Sequence, residues 1–281
     1  MKIEDVAKMT RPLDRLVYWI KERESIRIQR EECTPKPWTD DEILQRYRFC
    51  NVRRMDDRVS QWLLKNWYEP NYGHKNMLLA CALARFVNLP DSLGSIGYPA
   101  TWDAARIKRI LRSQAKNGLN VFNGAYMVRG NDGMDKVECV VDYYVRPLWK
   151  RPVVIDPFSM QATHAELSKR YGFGSFMAGQ VVADLRWAMP NDWHDAKTWA
   201  PMGPGSKRGM NRLLNQPMNA PMKQEEFGTL LTSLMRQLSS RLPLVITSRL
   251  EAIDYQNCLC EFDGYERALW GGRKKQRYPG I

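Results

Sequence analysis

No CxxC pair occurs in this sequence, and its six cysteines, at positions 33, 50, 81, 139, 258 and 260, share no spacing with histidine that would hold zinc. Cys258-x-Cys260 is too isolated to make a metal site, and His74, His164 and His194 are too scattered to be read as ligands. No signal peptide opens the chain, and no apolar run approaches the length of a membrane-spanning helix. These absences predict a reduced, soluble, cytoplasmic protein with no membrane partner. The pattern GxxxxGK[ST] is missing too, and Gly203-x-Gly205-Ser206-Lys207 is too short to replace it, so a P-loop nucleotide site is not expected. No internal repeat or low-complexity linker interrupts the chain.

What is present in excess is positive charge. Forty-three basic residues face 31 acidic ones, a net charge of +12 over 281 residues. That balance points to a polyanionic partner. A hydrophobic content of 44% and a charged content of 26% suit a globular chain with a real core and exclude wholesale disorder. Ten tryptophans and twelve tyrosines supply stacking surface, although most large aromatics belong in the core.

Most of the chain reads as helix. Residues 10–31 place Leu13, Leu16, Val17 and Ile20 on one face, with a basic face opposite. Pro35-Lys36-Pro37-Trp38 breaks the chain, and Thr39 with Glu42 forms a capping box for a helix from Asp40 to about Arg53. Asp56 and Asp57 start a helix through Trp67, residues 75–88 make a buried one, and a Thr101-capped helix runs to Asn117, closed by Gly118. Residues 120–149 read two ways. Strands around Tyr126–Arg129 and Val137–Tyr144 fit an Asn131-Asp132-Gly133 turn, but the second run fits a helix equally well. Helices return at 163–171, 223–241 and 247–265. The expected architecture is mainly α, a single catalytic unit of two interleaved helical lobes, about 1–150 and 151–281, with a short β-hairpin near 120–145 as the one departure.

The stretch from Tyr171 to Leu214 holds two glycine turns, each opening a helix. Gly172-Phe173-Gly174 precedes the apolar run Phe176–Trp187, and Gly203-Pro204-Gly205, capped by Ser206, precedes Lys207 and Arg208. Free N–H groups and the positive dipole end at such places suit an anion, and on so basic a chain the expected anion is phosphate.

Gly172-Phe173-Gly174-Ser175-Phe176-Met177-Ala178 with its apolar helix resembles the helix-hairpin-helix of the DNA glycosylase superfamily. Arg208-x-x-Asn211-Arg212-Leu213 resembles the helix that follows the catalytic aspartate in that superfamily. The aspartate itself falls on Gly203, and the hairpin lysine of the lyase-type members falls on Phe176. Without either group nothing stabilises an oxocarbenium ion or captures the sugar carbon, so cleavage of a glycosidic bond is not expected. A cradle of donors has taken the seat of an acid.

A second resemblance covers nearly the whole chain. WTDDEILQRYRFCNVRRMDD (38–57), GFGSFMAGQVVADLRW (172–187), WAPMGPGSKRGMNRL (199–213) and NCLCEFDGYER (257–267) resemble, in that order, the bacteriophage α-glutamyl/putrescinyl-thymine pyrophosphorylases. The helical region of that family is also found in 5-hydroxymethyluracil DNA kinases. The resemblance implies a substrate of double-stranded phage DNA in which 5-hydroxymethyldeoxyuridine is pyrophosphorylated. An amino acid or polyamine then displaces the pyrophosphate and leaves a hypermodified thymine, with glycine the favoured donor. It implies action in the cytoplasm of the infected host, and a monomer is expected. Lacking a P-loop, the chain reads as the transferase and not the kinase.

Such a reaction needs a holder for the leaving group, a base for the amine and a pocket for an extruded base. For the first, the candidates are Ser206, Lys207 and Arg208 with the Gly203 and Gly205 backbone, helped by Arg48 and Arg54. For the second they are Asp263, Glu261, Asp184 and Asp57, each also a natural salt-bridge partner for the many arginines. Asp263 and Glu261 diverge by about 200° on a helix, so one of them faces the site. For the uracil the candidates are Trp38, Tyr47, Phe49, Asn51, Asn123 and Trp187. Duplex phosphates are expected at Gly172, Gly174 and Ser175 and at the basic tail, Arg273, Lys274, Lys275 and Arg277. No cofactor is required; a Mg²⁺ bridging the pyrophosphate is chemically sensible, yet no acidic triad supports it. Two other readings stay open: a DNA-binding module that has lost its chemistry, and a glycosylase that uses another carboxylate such as Asp195.

Overall fold

The computed structural model describes residues 3–124, 134–189, 192–272 and 277. Among these every regular element is helical, so the chain is mainly α as expected. The N-terminal part supplies α1 (Ile3–Ala7), α2 (Pro12–Glu31) and α3 (Glu42–Arg46). The middle supplies α4 (Arg58–Leu63), α5 (Met77–Val87), α6 (Pro90–Ile96) and α7 (Ala104–Lys116), then α8 (Lys136–Glu138), α9 (Arg146–Lys150), α10 (Met160–Ser168) and α11 (Gly174–Ala188). The C-terminal part supplies α12 (Pro204–Leu213), α13 (Gln224–Ser239), α14 (Leu244–Thr247) and α15 (Ala252–Leu269). The chain forms two compact units, Met1–Asp57 with Lys197–Ile281, and Arg58–Ala196. The sequence suggested a boundary near residue 150; the units divide after Asp57 and after Ala196.

The first unit is organised by α15, whose two long flanks meet different neighbours. Residues 254, 258, 261 and 265 recur at helical spacing and face the chain between 41 and 54. Asp254 accepts from the Arg54 N–H at 2.8 Å, Glu261 accepts from the Cys50 N–H at 2.9 Å, and the Tyr265 hydroxyl donates to Asp41 at 2.6 Å. This explains why the helix expected from Asp40 to Arg53 stops at Arg46. Beyond it, the Cys50 and Arg54 N–H groups reach carboxylates of α15. The cap also differs from expectation. Asp41 caps α3 by accepting from Ile43 and Leu44, while Thr39 accepts from the Asp41 N–H.

The other flank of α15 packs on α12, and two glycines set the separation. A Cβ on Gly209 would lie 2.1 Å from the Leu259 carbonyl oxygen, and one on Gly205 would lie 2.2 Å from Cys260 Sγ. The spacing of four puts both glycines on one face, so the helices close to backbone contact. Three cations of the α2 face that the sequence marks as basic are also buried. Arg15 pairs with Glu266 at 2.7 Å, Arg23 donates to Asn51 at 2.9 Å, and Arg27 pairs with Glu24 at 2.6 Å. Each guanidinium is taken inside by a partner, which is what makes its burial tolerable.

The second unit has α5 at its centre, with every residue of that helix buried. Arg85 of α5 forms a buried ion pair with Asp184 of α11, and the Tyr68 hydroxyl donates to the same carboxylate at 2.6 Å. Val137–Tyr144, the run offered as a second hairpin strand, is helical, a short α8 running into a π-helix over Cys139–Val145. Cys139, Val140, Val141, Tyr144 and Val145 are all buried, so packing overrides the β preference of the branched residues. The first strand and its turn, 126–133, lie outside the described residues. Helices α10 and α11 are joined by a short turn in which Gly172 and Gly174 take left-handed φ values of +84° and +53°. At Gly172 a side chain is excluded twice over, since a Cβ would meet the Tyr144 ring at 2.1 Å.

Candidate anion-binding site

Arg208 and Arg212 are one turn apart on α12, and Asp263 and Arg267 are one turn apart on α15. Close packing of these helices gathers three guanidiniums around one carboxylate. Asp263, fully buried, accepts Arg208 Nε at 2.8 Å on one oxygen and Arg212 Nε at 3.0 Å on the other. Arg267 Nε stands 3.3 Å from it. The Arg208 and Arg212 guanidiniums use only their Nε edges, and their Nη groups make no hydrogen bond among the described residues. Three guanidiniums share this one carboxylate, and the Arg208 side chain is 38% exposed. The carboxylate fixes the cations by their inner edges and leaves their outer forks for a multidentate anion, the geometry at which arginine binds phosphate well.

The glycine-rich start of α12 has a different use from the one expected. Ser206 is fully buried, and its hydroxyl accepts from the Gly203 N–H at 2.9 Å and from Gln256 at 3.0 Å while donating to the Gly203 carbonyl. It closes the first turn and has no hydrogen-bonding capacity left for a ligand. Gly205 serves the contact with Cys260, Gly203 is the N-cap, and Pro204 removes one N–H from the helix end. Lys207 is half-buried. Only Arg208, of the expected cradle, joins the cluster. Arg48 is exposed, and Arg54 is buried beside Asp254.

Among the expected bases, Asp263 is committed to the arginines, and Glu261, on the opposite flank of α15, to the Cys50 N–H. The divergence anticipated from their spacing is therefore present. Asp57 is half-buried and accepts from the Asn51 N–H at 2.8 Å. Burial raises its pKa to about 6, against the pull of that N–H and of Arg54, with the charge of Glu261 adding to the rise. Asp184 is sealed in the second unit by Arg85 and Tyr68.

The base-binding candidates are dispersed. Asn51 is buried and bonded at both ends of its amide, to Arg23 and to the Asp56 carbonyl. Tyr47 and Phe49 are core residues, Phe49 lying 6.2 Å from both Trp19 and Tyr265. Trp38 is half-buried with Lys36 over its ring at 5.1 Å. Asn123 and Trp187, in the second unit, are half-buried. Of the expected phosphate contacts, Gly172, Gly174 and Ser175 are exposed at the α10–α11 turn, the Ser175 carbonyl accepting from His164 Nε2 at 2.9 Å. Arg277 bridges Tyr47, whereas Arg273, Lys274 and Lys275 lie outside the described residues. Asp195 is tied to the start of α10 by Ser159, Met160 and Gln161.

The sequence offered neither Arg212 nor Arg267 as a site candidate. The signal was available as pairs one turn apart, Arg208 with Arg212 and Asp263 with Arg267. What it lacked was the knowledge that α12 and α15 touch. Among the described residues no group of three or more His, Cys, Asp or Glu side chains is arranged to hold a metal ion. No described helix is long and apolar enough to cross a membrane.

The class this geometry defines is a basic, mainly α protein with three arginines gathered on one buried carboxylate. Its family model is the helical domain of 5-hmdU DNA kinase, which matches residues 10–274, and the chain belongs to that family. A 5-hmdU DNA kinase of Bacillus phage SP10 is 28% identical over 210 residues, covering 62% of this chain and 32% of that protein. The chain thus spans about a third of that relative's length. No solved structure matches.

Proposed function

We propose that this protein acts in phage DNA hypermodification as a transferase, joining an amine to a pyrophosphorylated 5-hydroxymethyluracil in DNA and releasing pyrophosphate. Its family membership supports a role in the chemistry of modified uracil. The observation that carries the reading is the cluster of Arg208, Arg212 and Arg267 about Asp263. The C–O bond breaks with its electron pair leaving on the diphosphate, and the amine lone pair then forms a C–N bond to the 5-methylene carbon. The uracil ring assists by expelling the leaving group through an exocyclic methide. Outer guanidinium forks stabilise the charge that grows on the departing oxygen. Asp263 acts here as the anchor of those forks, not as the base. The amine's proton passes to an oxygen of the diphosphate, the one free anion at the site in this reading. Glycine remains the favoured donor.

The test is incubation with duplex DNA bearing pyrophosphorylated 5-hydroxymethyluracil, with an amine mixture that includes glycine and putrescine. A base of increased mass and one free pyrophosphate per event are expected. Arg208→Ala with Arg212→Ala should lower turnover at least a hundredfold while the protein still binds unmodified duplex. Abasic sites would point instead to a glycosylase, binding without chemistry to an idle module, and undiminished turnover in the double variant would remove the cluster from the mechanism.

A further inference from the structure

The second unit carries an open groove of about 450 Å³ that the site above does not use. One wall is α9 and the residue after it, offering Arg146, Lys150 and Arg151; the other is the turn between α10 and α11, offering Lys169, Arg170 and Tyr171. Asp142 is the one acidic residue in its lining, and it is held by Lys108 and lies 3.6 Å from Arg146. Lys169 pairs with Glu166. Lys150, Arg151 and Arg170 make no ion pair among the described residues, so three cations line the groove uncompensated. Tyr171 is 59% exposed, its ring 5.7 Å from that of Tyr144. Cations without acidic partners beside an exposed aromatic face make a surface that a solvated charge run on one helix does not, because two elements converge on one channel.

We propose that this groove holds the sugar-phosphate backbone of DNA, with Lys150, Arg151 and Arg170 each neutralising a phosphate and Tyr171 packing on the adjacent sugar or base. The assignment rests on DNA being the substrate, as proposed above. It places duplex anchoring on side chains of α9 and the α10–α11 turn, apart from the arginine cluster that takes the leaving group. Phosphate contacts of this kind release condensed counterions, so they are read out by salt dependence.

The experiment titrates a fluorescein-labelled, unmodified DNA duplex by anisotropy between 50 and 200 mM KCl. Wild type is compared with the triple variant Lys150→Ala, Arg151→Ala, Arg170→Ala, whose circular dichroism and melting are checked first. Each phosphate contact contributes about 0.9 to the slope of log affinity against log salt. The expected result is a slope shallower by about 2 to 3 and an affinity at 50 mM KCl lowered at least tenfold. A slope within 0.5 of wild type would overturn the proposal. So would a wild-type preference for duplex RNA of the same sequence that the variant loses. Because the probe carries no modified base, neither result depends on transfer, and failure of the transfer assay leaves this measurement intact.

Discussion

The effect of Asp263 in this site is positional. A buried carboxylate that touches three guanidiniums holds them against their mutual repulsion, and removing it leaves three cations on each other. Asp263→Ala should therefore lower stability by about 2–4 kcal/mol, since Arg208 and Arg267 retain some solvent, and Asp263→Asn should lower it less. Urea unfolding of the two variants measures this, and a wild-type midpoint for the alanine variant would remove the anchoring role. Ser206 illustrates the opposite case. Sequence spacing marks it as a cap near a phosphate cradle, and the capping is real, but full burial closes it to any ligand. A residue's place in a helix is legible from its neighbours in the chain; its accessibility is not.

At the level of elements, the crossing of α12 and α15 makes the arginine cluster, and Gly205 and Gly209 make the crossing. The sequence offered Gly205, with Gly203, as a phosphate nest, because glycine before a helix suits both uses. Only the partner helix distinguishes them. A Cβ at Gly209 meets a backbone carbonyl that has no rotamer to escape into, so Gly209→Ala should cost about 2 kcal/mol or more. Gly228, within α13, has nothing within 4 Å of the same position. Gly228→Ala should stabilise by about 0.5–1 kcal/mol through helix propensity. Thermal unfolding of the pair is the check, and equal effects would mean that the close approach is not what the glycines serve. The run at 137–145 teaches a related lesson. Its valines favour a strand locally, yet burial on several sides turns them into a helix.

For the molecule as a whole, net charge is a poor guide to where the charge lies. Much of the basic face of α2 is inside, and two acids of the same unit are placed where they hold protons up to about pH 6. Burial raises both Asp57 and Asp254 to about 6 from an ordinary 3.8. Between those values the folded state binds more protons than the unfolded one, so their contribution to stability is present at the acidic end and is lost as pH rises through 6. Asp57→Asn keeps an acceptor for the Asn51 N–H and removes one of the two titrations. Relative to wild type it should be more stable at pH 7 than at pH 4.5, by about 1–2 kcal/mol, a discounted figure because Asp57 is only half-buried. Urea midpoints at the two pH values decide it, and a constant difference would show that Asp57 does not titrate in that window.

By itself the amino-acid sequence determined the helical class, the basic balance, the absence of a P-loop pattern and the family of the helical domain. Each of these is written in composition or in spacing along one chain, where a helix repeats every few residues. The tertiary structure alone decided that Arg208, Arg212 and Arg267 converge on Asp263, that Glu261 turns the other way, and that Gly205 and Gly209 lie against α15. Those outcomes depend on which helices touch, and contact between residues some fifty positions apart is set by the packing of whole faces, which no local pattern encodes.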